Sequence, residues 1–542
     1  MQLTKLKVYE ALARSLSDNA VTDLFGLIGD ANLFMVDSYQ KQPGVQFVPA
    51  VHEGSAVLMA HGYAEVTGKV GVATVTHGPA VTNCTTALTN AARAKVGLVL
   101  MTGDTPAANP EHLQNTDQAA FAELCGAGFE PLRRPDTAAQ DFARALYRAR
   151  VESRPIVFNM PADFMWQDAP YQKAIRPVFD ASAYIPEGDV LDQAIGMIAS
   201  AKRPIILAGR GAIDAEAALI KLADRLEAPL ATTLKAKGLF KGHPYSIDLC
   251  GTLSTPAGYE VIAKSDCIVA FGASLTEWTT DHGKLFDGKR VVQIDTDGTA
   301  IGQTIHPDAA LIADAALTAE NFVYWLDEAE IPASGFCREL DADMLRSYER
   351  PRNRERSADT VNYVEAIEWL ETVLPQDRIL TTDGGRFMTE VWCRVGVEKP
   401  RNFIDTTGFG SIGLGLQVAI GAAVAKPKQP VAMFTGDGGF MMGGLAEFNT
   451  AVRLGLDLIV VVCNDAAYGA EHIQFVDKNM DPKLSQFDWP SFAEVAVSLG
   501  GSGVDLRTPE DYAKVEQAIR DRRGPLLIDL HLDPNDVPRM RV

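Results

Sequence analysis

The sequence has no excess of positive charge and no long apolar run, and each absence limits what the protein binds. Its 542 residues carry 50 Lys and Arg against 70 Asp and Glu, a formal net charge of −20. Such a balance argues against binding to nucleic-acid backbones or anionic membrane surfaces, which both require basic patches. The most apolar long segment, residues 412–425, is shorter than the roughly 18 residues that a transmembrane helix needs. We therefore expect a small-molecule substrate, with no nucleic acid and no membrane.

The sequence also has few cysteines and predicts no secretion signal. Its seven Cys residues include no CxxC pair, and several lie in apolar runs such as "DCIVAFG", where a free buried thiol is expected. The opening "MQLTKLKVYEALARSL" contains no apolar segment after a basic one, so it does not predict a signal peptide. Both features favour a cytoplasmic location.

Short β-branched runs that alternate with helical patterns are abundant along the whole chain. This rhythm is typical of parallel sheets covered by helices, and the length requires more than one core. We predict an α/β protein of three doubly wound parallel-sheet domains at residues 1–175, 188–335 and 360–542. A Pro-, Asp- and Tyr-rich stretch near residues 163–188 and a charge-dense stretch at 341–360 are interpreted as linkers. The first and third units share the succession of strand, Gly-rich turn and helix, but their residues show no sequence repeat.

Two aspartates follow two neighbouring strands in the third unit. The strand "PVAMFT" ends at Gly436-Asp437-Gly438, and the strand "LDLIVVVC" ends at Asn464-Asp465. Because the carboxyl ends of parallel strands meet at one edge, the two carboxylates are expected side by side, where they suit Mg²⁺. The glycines and the following helix N-terminus suit a phosphate. Two turns that end in Asp are the alternative, and the spacing alone leaves it open.

These segments resemble a known family. "GDGG" followed by "CNDAAYG" resembles the diphosphate motif of thiamine-diphosphate-dependent enzymes. "VHEGSAVLMAHGYAEVTGKVGVATVTHGPAVTN" resembles a block of acetolactate synthase, and "RPIILAGRGA", "TTLKAKGLF" and "GFGSIGLGLQVAIGA" follow in the family's order and spacing. The resemblance covers essentially the whole chain and includes pyruvate decarboxylase and benzoylformate decarboxylase. It implies a pyrimidine-binding first domain, a Rossmann-like central domain and a diphosphate-binding third domain, with thiamine diphosphate and Mg²⁺ as cofactors.

On the diphosphate side, the resemblance implies metal ligands at Asp437, Asp465 and the backbone carbonyl of Ala467. Many relatives have Asn where this chain has Asp465, a change that keeps a hard oxygen ligand. Ile412 matches the bulky residue that supports the bent cofactor, although a plain core role is the alternative. The other implied cofactor contacts are Gly410, Ser411, Gly436, Gly438, Gly439 and Tyr468.

On the pyrimidine side, Glu53 matches the carboxylate that bonds the aminopyrimidine ring. Its apolar surroundings, "FVPAVHEGSAVLMA", predict that its side chain is buried. A carboxylate that only complements the dipole of the following helix is the alternative. In this family the two halves of the cofactor are bound by different subunits, so the resemblance implies a homodimer as the minimum active form and often a homotetramer.

Four further residues are candidates for the reaction itself. Gln114 matches a Gln near the thiazolium ring. His77 stands where the family usually has Ser; a neutral imidazole there could transfer protons, and a buried, hydrogen-bonded His is the alternative. Glu471 matches a proton-donating Glu, and His472 follows it. The stretch "AEHIQF" around them has neither the Arg nor the Trp of acetolactate synthases.

The resemblance leaves several reactions open. A 2-oxo acid decarboxylase or an acyloin-type lyase or carboligase leads, with an acetolactate synthase-like carboligase and a 2-hydroxyacyl-CoA lyase as alternatives. The chain ends soon after "LLIDLHL", which does not favour a coenzyme A clamp, and "CGTLS" and "GASLTEW" replace motifs of FAD-binding relatives, so FAD is not expected. A non-catalytic module that binds nucleotides or partners is the alternative from a different class.

Overall fold

The computed structural model of the chain describes residues 4–106, 108–177, 184, 186–348 and 356–539, and it contains three parallel sheets of six strands each. Each sheet is covered by helices, so the predicted α/β class with three doubly wound domains is confirmed. Among the described residues, no helix is long and apolar enough to cross a membrane.

The first domain has the strand order β3-β2-β4-β5-β7-β6, and a separate antiparallel pair joins β1 to β8. Its strands are β1 Thr4–Lys7, β2 Asp23–Gly26, β3 Gln46–Pro49, β4 Gly71–Val75, β5 Leu98–Asp104, β6 Gly128–Pro131, β7 Ile156–Pro161 and β8 Asp168–Tyr171. Its helices are α1 Val8–Asp18, α2 Leu33–Gln40, α3 Glu53–Thr67, α4 Pro79–Thr82, α5 Thr85–Arg93, α6 Gln118–Leu124 and α7 Ala138–Val151.

The second domain has the strand order β11-β10-β9-β12-β13-β14. Its strands are β9 Pro204–Ala208, β10 Leu230–Thr232, β11 Ser246–Leu249, β12 Cys267–Phe271, β13 Arg290–Asp295 and β14 Ala309–Ile312. Its helices are α8 Asp189–Ala199, α9 Glu216–Leu226, α10 Pro256–Lys264, α11 Glu277–Thr280 and α12 Ala315–Glu328.

The third domain has the strand order β16-β15-β17-β18-β20-β19. Its strands are β15 Ile379–Thr382, β16 Phe403–Asp405, β17 Val431–Gly436, β18 Leu458–Asn464, β19 Ser502–Leu506 and β20 Leu526–His531. Its helices are α13 Tyr363–Val373, α14 Met388–Arg394, α15 Gly415–Ala425, α16 Asp437–Gly439, α17 Leu445–Arg453, α18 Gly469–Asp477, α19 Phe492–Ser498 and α20 Tyr512–Asp521, with a π-helical segment, Phe440–Gly444, between α16 and α17.

The first and third sheets have the same topology. When the strands of each sheet are numbered along the chain, both follow the order 2-1-3-4-6-5, whereas the second sheet follows 3-2-1-4-5-6. In both orders, ligands bind beyond the carboxyl ends of the strands, where the winding of the chain reverses. In the first and third domains this point lies between the first and third strands.

One local prediction is wrong. The supposed linker at 163–188 contains β8, because its residues pair with β1 and Asp168 forms salt bridges with Lys5 and Lys7. The segment "VTNCTTALTNAARA" contributes to two helices, α4 and α5, with a break at residues 83–84. Of the two supposed linkers, residues 178–183, 185 and 349–355 lie outside the described part.

Two glycine-containing helices join the first domain to the third. α3 and α15 are apolar over most of their surface and lie within one shared hydrophobic core. A Cβ added to Gly62 would lie 2.0 Å from the carbonyl oxygen of Val418, and one added to Gly421 would lie 1.9 Å from that of Met59. Only glycine permits so close an approach. The numbers of the paired residues rise in one helix as they fall in the other, so α3 and α15 are antiparallel.

Candidate active site

Asp437 follows β17, and both of its carboxylate oxygens accept hydrogen bonds. Oδ1 accepts from the backbone N–H of Gly438 (2.8 Å), and Oδ2 accepts from the backbone N–H of Ala467 (3.1 Å) and from Nε1 of Trp489 (2.9 Å). The side chain is buried. Because these donors come from three separate segments, they hold the carboxylate in one orientation.

Asp465 directly follows β18 and is also buried. Burial raises the pKa of Asp437 to about 6, and burial together with the charge of Asp437 raises the pKa of Asp465 well above its usual range. The guanidinium of Arg386 opposes the second rise. Two buried carboxyl groups therefore lie close together at this edge of the sheet, as the strand pattern predicts, and their raised pKa values reflect the cost of placing two negative charges there.

The residues at this edge fit a divalent cation and a diphosphate. Carboxylate oxygens are hard ligands of the type that Mg²⁺ prefers. A Cβ added to Gly438 would lie 2.3 Å from Cε1 of Tyr468, and one added to Gly469 would lie 2.7 Å from Oδ2 of Asp465. Glycine at these two positions therefore avoids a clash and leaves the backbone free of a side chain. The helix that begins at Asp437 continues through the π-helical segment to Arg453, so its N-terminus lies at this edge, where the helix dipole favours an anion.

Asp383, which the sequence analysis did not single out, holds the loop before α15. It follows β15, is buried and accepts hydrogen bonds from five groups. The donors are the backbone N–H groups of Gly384, Gly413 and Leu414 and the hydroxyls of Thr406 and Thr435. Gly439 is equally confined, since a Cβ there would lie 2.6 Å from Oδ2 of Asp383. Asp383 thereby fixes residues 413–414, next to Ile412.

Ile412 lies at the same edge with its side chain half-buried. Gly410 is exposed and has a left-handed φ of 72°, and the hydroxyl of Ser411 donates to the carbonyl of Ile412 (3.1 Å). A half-exposed isoleucine on a fixed loop agrees with a role in supporting the cofactor. That role stays a prediction.

Glu53 begins α3 at the carboxyl edge of the first sheet. The prediction that it is buried is wrong for the single chain, where the side chain is half-buried and its Oε2 accepts a hydrogen bond from Nδ2 of Asn83 (3.0 Å). The reason is its position at the helix start, where the preceding Val51 and His52 are exposed. The apolar residues that suggested burial cover the body of α3 and not its first turn.

His77 and Gln114 lie at the same edge as Glu53, beyond β4 and β5. His77 is buried, and burial lowers the pKa of its imidazole. Its ring lies 5.5 Å from the ring of His112. A Cβ added to Gly78 would lie 2.4 Å from the carbonyl oxygen of Gln114, so the segments that carry His77 and Gln114 are in contact. The structure thus brings the segments of His77 and Gln114 together, at the same edge of the sheet as Glu53.

Glu471 and His472 lie on α18 and face different surroundings. Glu471 is exposed, whereas His472 is buried and its Nε2 lies 3.2 Å from Oδ1 of Asn535. This contact ties α18 to the last described segment of the chain. A catalytic role stays a prediction for both residues, and the geometry gives His472 a structural partner.

Within one chain the two carboxyl edges lie at opposite ends of the paired helices. Glu53 precedes Gly62 along α3, and Ile412 precedes Val418 before and along α15. Because the helices are antiparallel, Glu53 and Ile412 lie in opposite directions from the contact between Gly62 and Val418. At the rise per residue of an α-helix, the two displacements add up to about 20 Å. The two predicted halves of the site do not meet inside one chain.

Three residues of the diphosphate edge were missed by the sequence analysis for different reasons. Asp383 stands in "TTDGG", directly after a strand, so the rule that located Asp437 could have found it. Trp489 carries no local signal, because its partner Asp437 is distant in sequence. Arg386 is likewise recognisable only from the fold, where its guanidinium donates to the carbonyls of Pro534 (2.6 Å) and Pro538 (3.1 Å).

Family models match three successive parts of the chain. Residues 6–121 match the thiamine pyrophosphate enzyme N-terminal TPP binding domain, residues 191–322 the central domain, and residues 383–530 the C-terminal TPP binding domain. The chain therefore belongs to the thiamine-diphosphate-dependent enzymes, and the resemblance stated above is confirmed.

Curated relatives match over nearly the full length. The chain is 28% identical to the sulfoacetaldehyde acetyltransferase of Castellaniella defragrans, over 96% of this chain and 92% of the relative. It is 26% identical to the acetolactate synthase isozyme 1 large subunit of Escherichia coli strain K12, over 97% and 94%. It is 27% identical to a probable acetolactate synthase large subunit of Methanocaldococcus jannaschii, over 98% and 92%. The protein is an enzyme of the general carbon–carbon lyase or carboligase type.

Proposed function

We propose that the protein uses thiamine diphosphate and Mg²⁺ to cleave or form a carbon–carbon bond next to a carbonyl, with a 2-oxo acid or an acyloin as substrate. The observation that carries this proposal is the pair of buried carboxylates, Asp437 and Asp465, at neighbouring strand ends in a chain of this family.

In this proposal the third domain binds the cation and the diphosphate, and the first domain supplies the groups that transfer protons. Asp437, Asp465 and the carbonyl of Ala467 bind the cation, and the backbone N–H groups after Gly436 bind the diphosphate. When bound, thiamine diphosphate supplies an electron sink for the bond next to the substrate carbonyl. Glu53 holds a proton at N1′ of the pyrimidine ring, and its hydrogen bond with Asn83 (3.0 Å) orients the carboxylate.

The active site is proposed to form between two chains. The antiparallel packing of α3 and α15 supports this, because it separates Glu53 from Ile412 within one chain. A residue that contacts the pyrimidine ring and a residue that supports the bend of the same cofactor must lie close together. A second copy with two-fold symmetry brings the carboxyl edge of its third domain to the first domain of this chain. A tetramer would be a pair of such dimers.

Complementation of two inactive variants tests the shared site. Glu53→Gln and Asp437→Ala, co-expressed with different affinity tags, give a hybrid dimer that is isolated by two successive affinity steps. If each site takes Glu53 from one chain and Asp437 from the other, one of the two sites is intact, and the hybrid keeps about half of the wild-type activity. A same-tag preparation of either variant, or a hybrid of Glu53→Gln with itself, is the inactive control. An inactive mixed hybrid would contradict the shared site.

The available proton donors favour release of an aldehyde over capture of a second 2-oxo acid. The titratable side chains His77 and Glu471 are the candidate proton donors, and residues 470–475 include neither Arg nor Trp. A 2-oxo acid decarboxylase or an acyloin lyase is therefore the leading assignment. An acetolactate synthase-like carboligase is the second candidate, favoured by the names of two relatives.

A substrate screen distinguishes these reactions. The purified protein with thiamine diphosphate and Mg²⁺ is incubated with a panel of 2-oxo acids and acyloins, and CO₂, free aldehyde and acetolactate are measured. We expect CO₂ with free aldehyde, or aldehyde alone from an acyloin. Acetolactate from pyruvate as the main product would instead support the second candidate. Consumption of sulfoacetaldehyde would match the activity named for the Castellaniella relative. The Asp437→Ala variant is the matched control.

A further inference from the structure

The hydroxyl of Thr76 lies between Asp30 and His77, where the winding of the first sheet reverses. Its Oγ1 is 3.3 Å from Oδ1 of Asp30 and 3.0 Å from Nδ1 of His77. The backbone N–H of Ala31 also donates to it (3.4 Å). The three contacts come from the chain beyond β2 and from the residue next to Thr76.

Counting donors and acceptors determines which nitrogen of His77 carries the proton. A hydroxyl has one proton to donate and two lone pairs that accept. The N–H of Ala31 occupies one lone pair of Thr76. The carboxylate of Asp30 only accepts, so it takes the hydroxyl proton. When the hydroxyl donates to Asp30, Nδ1 of His77 faces the remaining lone pair and is the protonated nitrogen. In the neutral imidazole, Nε2 is consequently the bare nitrogen.

Nε2 of His77 is buried and has no hydrogen-bond partner among the residues that the structure describes. A buried acceptor without a partner is costly, and such atoms are commonly found where a ligand supplies the missing bond. The imidazole lies at the same edge as Glu53 and Gln114. Its unpartnered lone pair is therefore suited to the proton of a substrate hydroxyl.

We propose that Thr76 is a positioning residue that holds His77 as the Nδ1–H tautomer, so that Nε2 exchanges a proton with a substrate hydroxyl. This inference rests on the function proposed above. In the cleavage direction the hydroxyl proton moves to Nε2, and the O–H electron pair forms the carbonyl as the adjacent carbon–carbon bond breaks. The electron pair of that bond leaves with the other fragment, and Nε2 later returns the proton to the carbon of that fragment. No proton or electron is gained or lost overall.

The groups that face His77 keep it able to move a proton in either direction. Burial lowers the pKa of the imidazole, the charge of His112 acts in the same direction, and the carboxylates of Asp30 and Asp104 oppose both. A lowered pKa keeps Nε2 bare at neutral pH.

The first measurement reads the tautomer without any reaction. Magic-angle-spinning ¹⁵N spectra are recorded on sedimented, cofactor-free protein with ¹⁵N-labelled histidines, and the His77→Gln variant identifies the His77 signals among the nine histidines. We expect the imine-type signal of wild-type His77 at Nε2 and the N–H signal at Nδ1. In Thr76→Val, which keeps the shape and loses the hydroxyl, a large share of the imine-type signal should move to Nδ1. Thr76→Ser should keep the wild-type pattern. A wild-type His77 with bare Nδ1 overturns the proposal.

The second measurement asks whether the tautomer matters for turnover. With the substrate found in the screen, Thr76→Val should lower kcat by roughly 10–100-fold and leave KM nearly unchanged, while Thr76→Ser recovers most of the rate. Equal kcat values for wild type and Thr76→Val would overturn the role, even if the tautomer shifts. If the screen yields no substrate, the function proposed above fails, but the spectra still decide the tautomer. The two failures are therefore distinguishable.

Discussion

The first and third domains wind six strands in the same order, and yet the side chains beyond their strands have different surroundings. In the third domain, Asp383 and Asp437 directly follow the first and third strands, are buried, and accept hydrogen bonds from backbone and side-chain donors. In the first domain the segments beyond the first and third strands carry Asp30 and His77, and one nitrogen of His77 has no partner among the described residues. The topology provides the edge, and the donors around each side chain decide its use. Buried carboxylates held in one orientation suit the binding of a cation, and an imidazole with an unpartnered nitrogen suits the movement of a proton.

The strongest test of this contrast removes the proton function and leaves binding intact. We expect Glu53→Gln to lower the rate of hydrogen exchange at C2 of bound thiamine diphosphate by about 10²–10⁴-fold, because an amide cannot hold a proton at N1′. Cofactor affinity should fall only modestly. Glu216→Gln is the matched control, because Glu216 also begins a helix, α9. If both variants behave alike, Glu53 acts only on the helix dipole.

The converse change removes binding. Asp437→Ala should weaken Mg²⁺-dependent binding of thiamine diphosphate by more than about 100-fold, since loss of a residue that only supports a metal ligand already costs up to that much. Titration calorimetry measures the affinity, and circular dichroism verifies the fold. Asp465→Asn, which keeps an oxygen ligand, should bind far better than Asp437→Ala. Equal affinity of Asp437→Ala and wild type would remove the metal assignment.

A third prediction concerns the helices that join the two domains. Gly62→Ala places a Cβ 2.0 Å from the carbonyl oxygen of Val418, so α3 and α15 must separate, at a cost of about 1–3 kcal/mol. Gly196→Ala in α8 meets no atom within 4 Å and should stabilise by about 0.4–1 kcal/mol. Thermal unfolding should show a lower midpoint for the first variant and a higher one for the second. A midpoint of Gly62→Ala at or above wild type would show that the helix contact is adjustable.

The smallest effect is expected from a single donor to Asp437. Trp489→Phe removes the Nε1–H bond to Oδ2 (2.9 Å) and keeps an aromatic ring beside Phe487. We expect Mg²⁺ affinity to fall by about 10-fold, the lower range for groups that orient a ligand. Trp278→Phe in the second domain controls for the loss of an indole. An unchanged affinity would mean that the two backbone donors alone orient Asp437.

Much of the fold could be predicted because strand patterns and helix patterns are local. The strands that precede Asp437 and Asp465 are buried, mostly apolar runs, and Gly and Asp mark the turns that follow them. Short strands such as β8 and β16 have too few residues for a clear pattern, and they form because a partner strand is already in place. Helix α3 was also correctly located, while the exposure of Glu53 at its first turn was not.

The sequence alone determines that Asp437 and Asp465 stand at the ends of neighbouring parallel strands, because alternation and turn residues act within a few positions. It also determines the family, through motifs spread over the chain. Only the tertiary structure decides that Trp489 reaches Asp437, that Thr76 faces both Asp30 and His77, and that α3 and α15 are antiparallel. These contacts join residues whose separation no local pattern encodes, and they depend on how closely two glycine-containing helices and three sheets can pack.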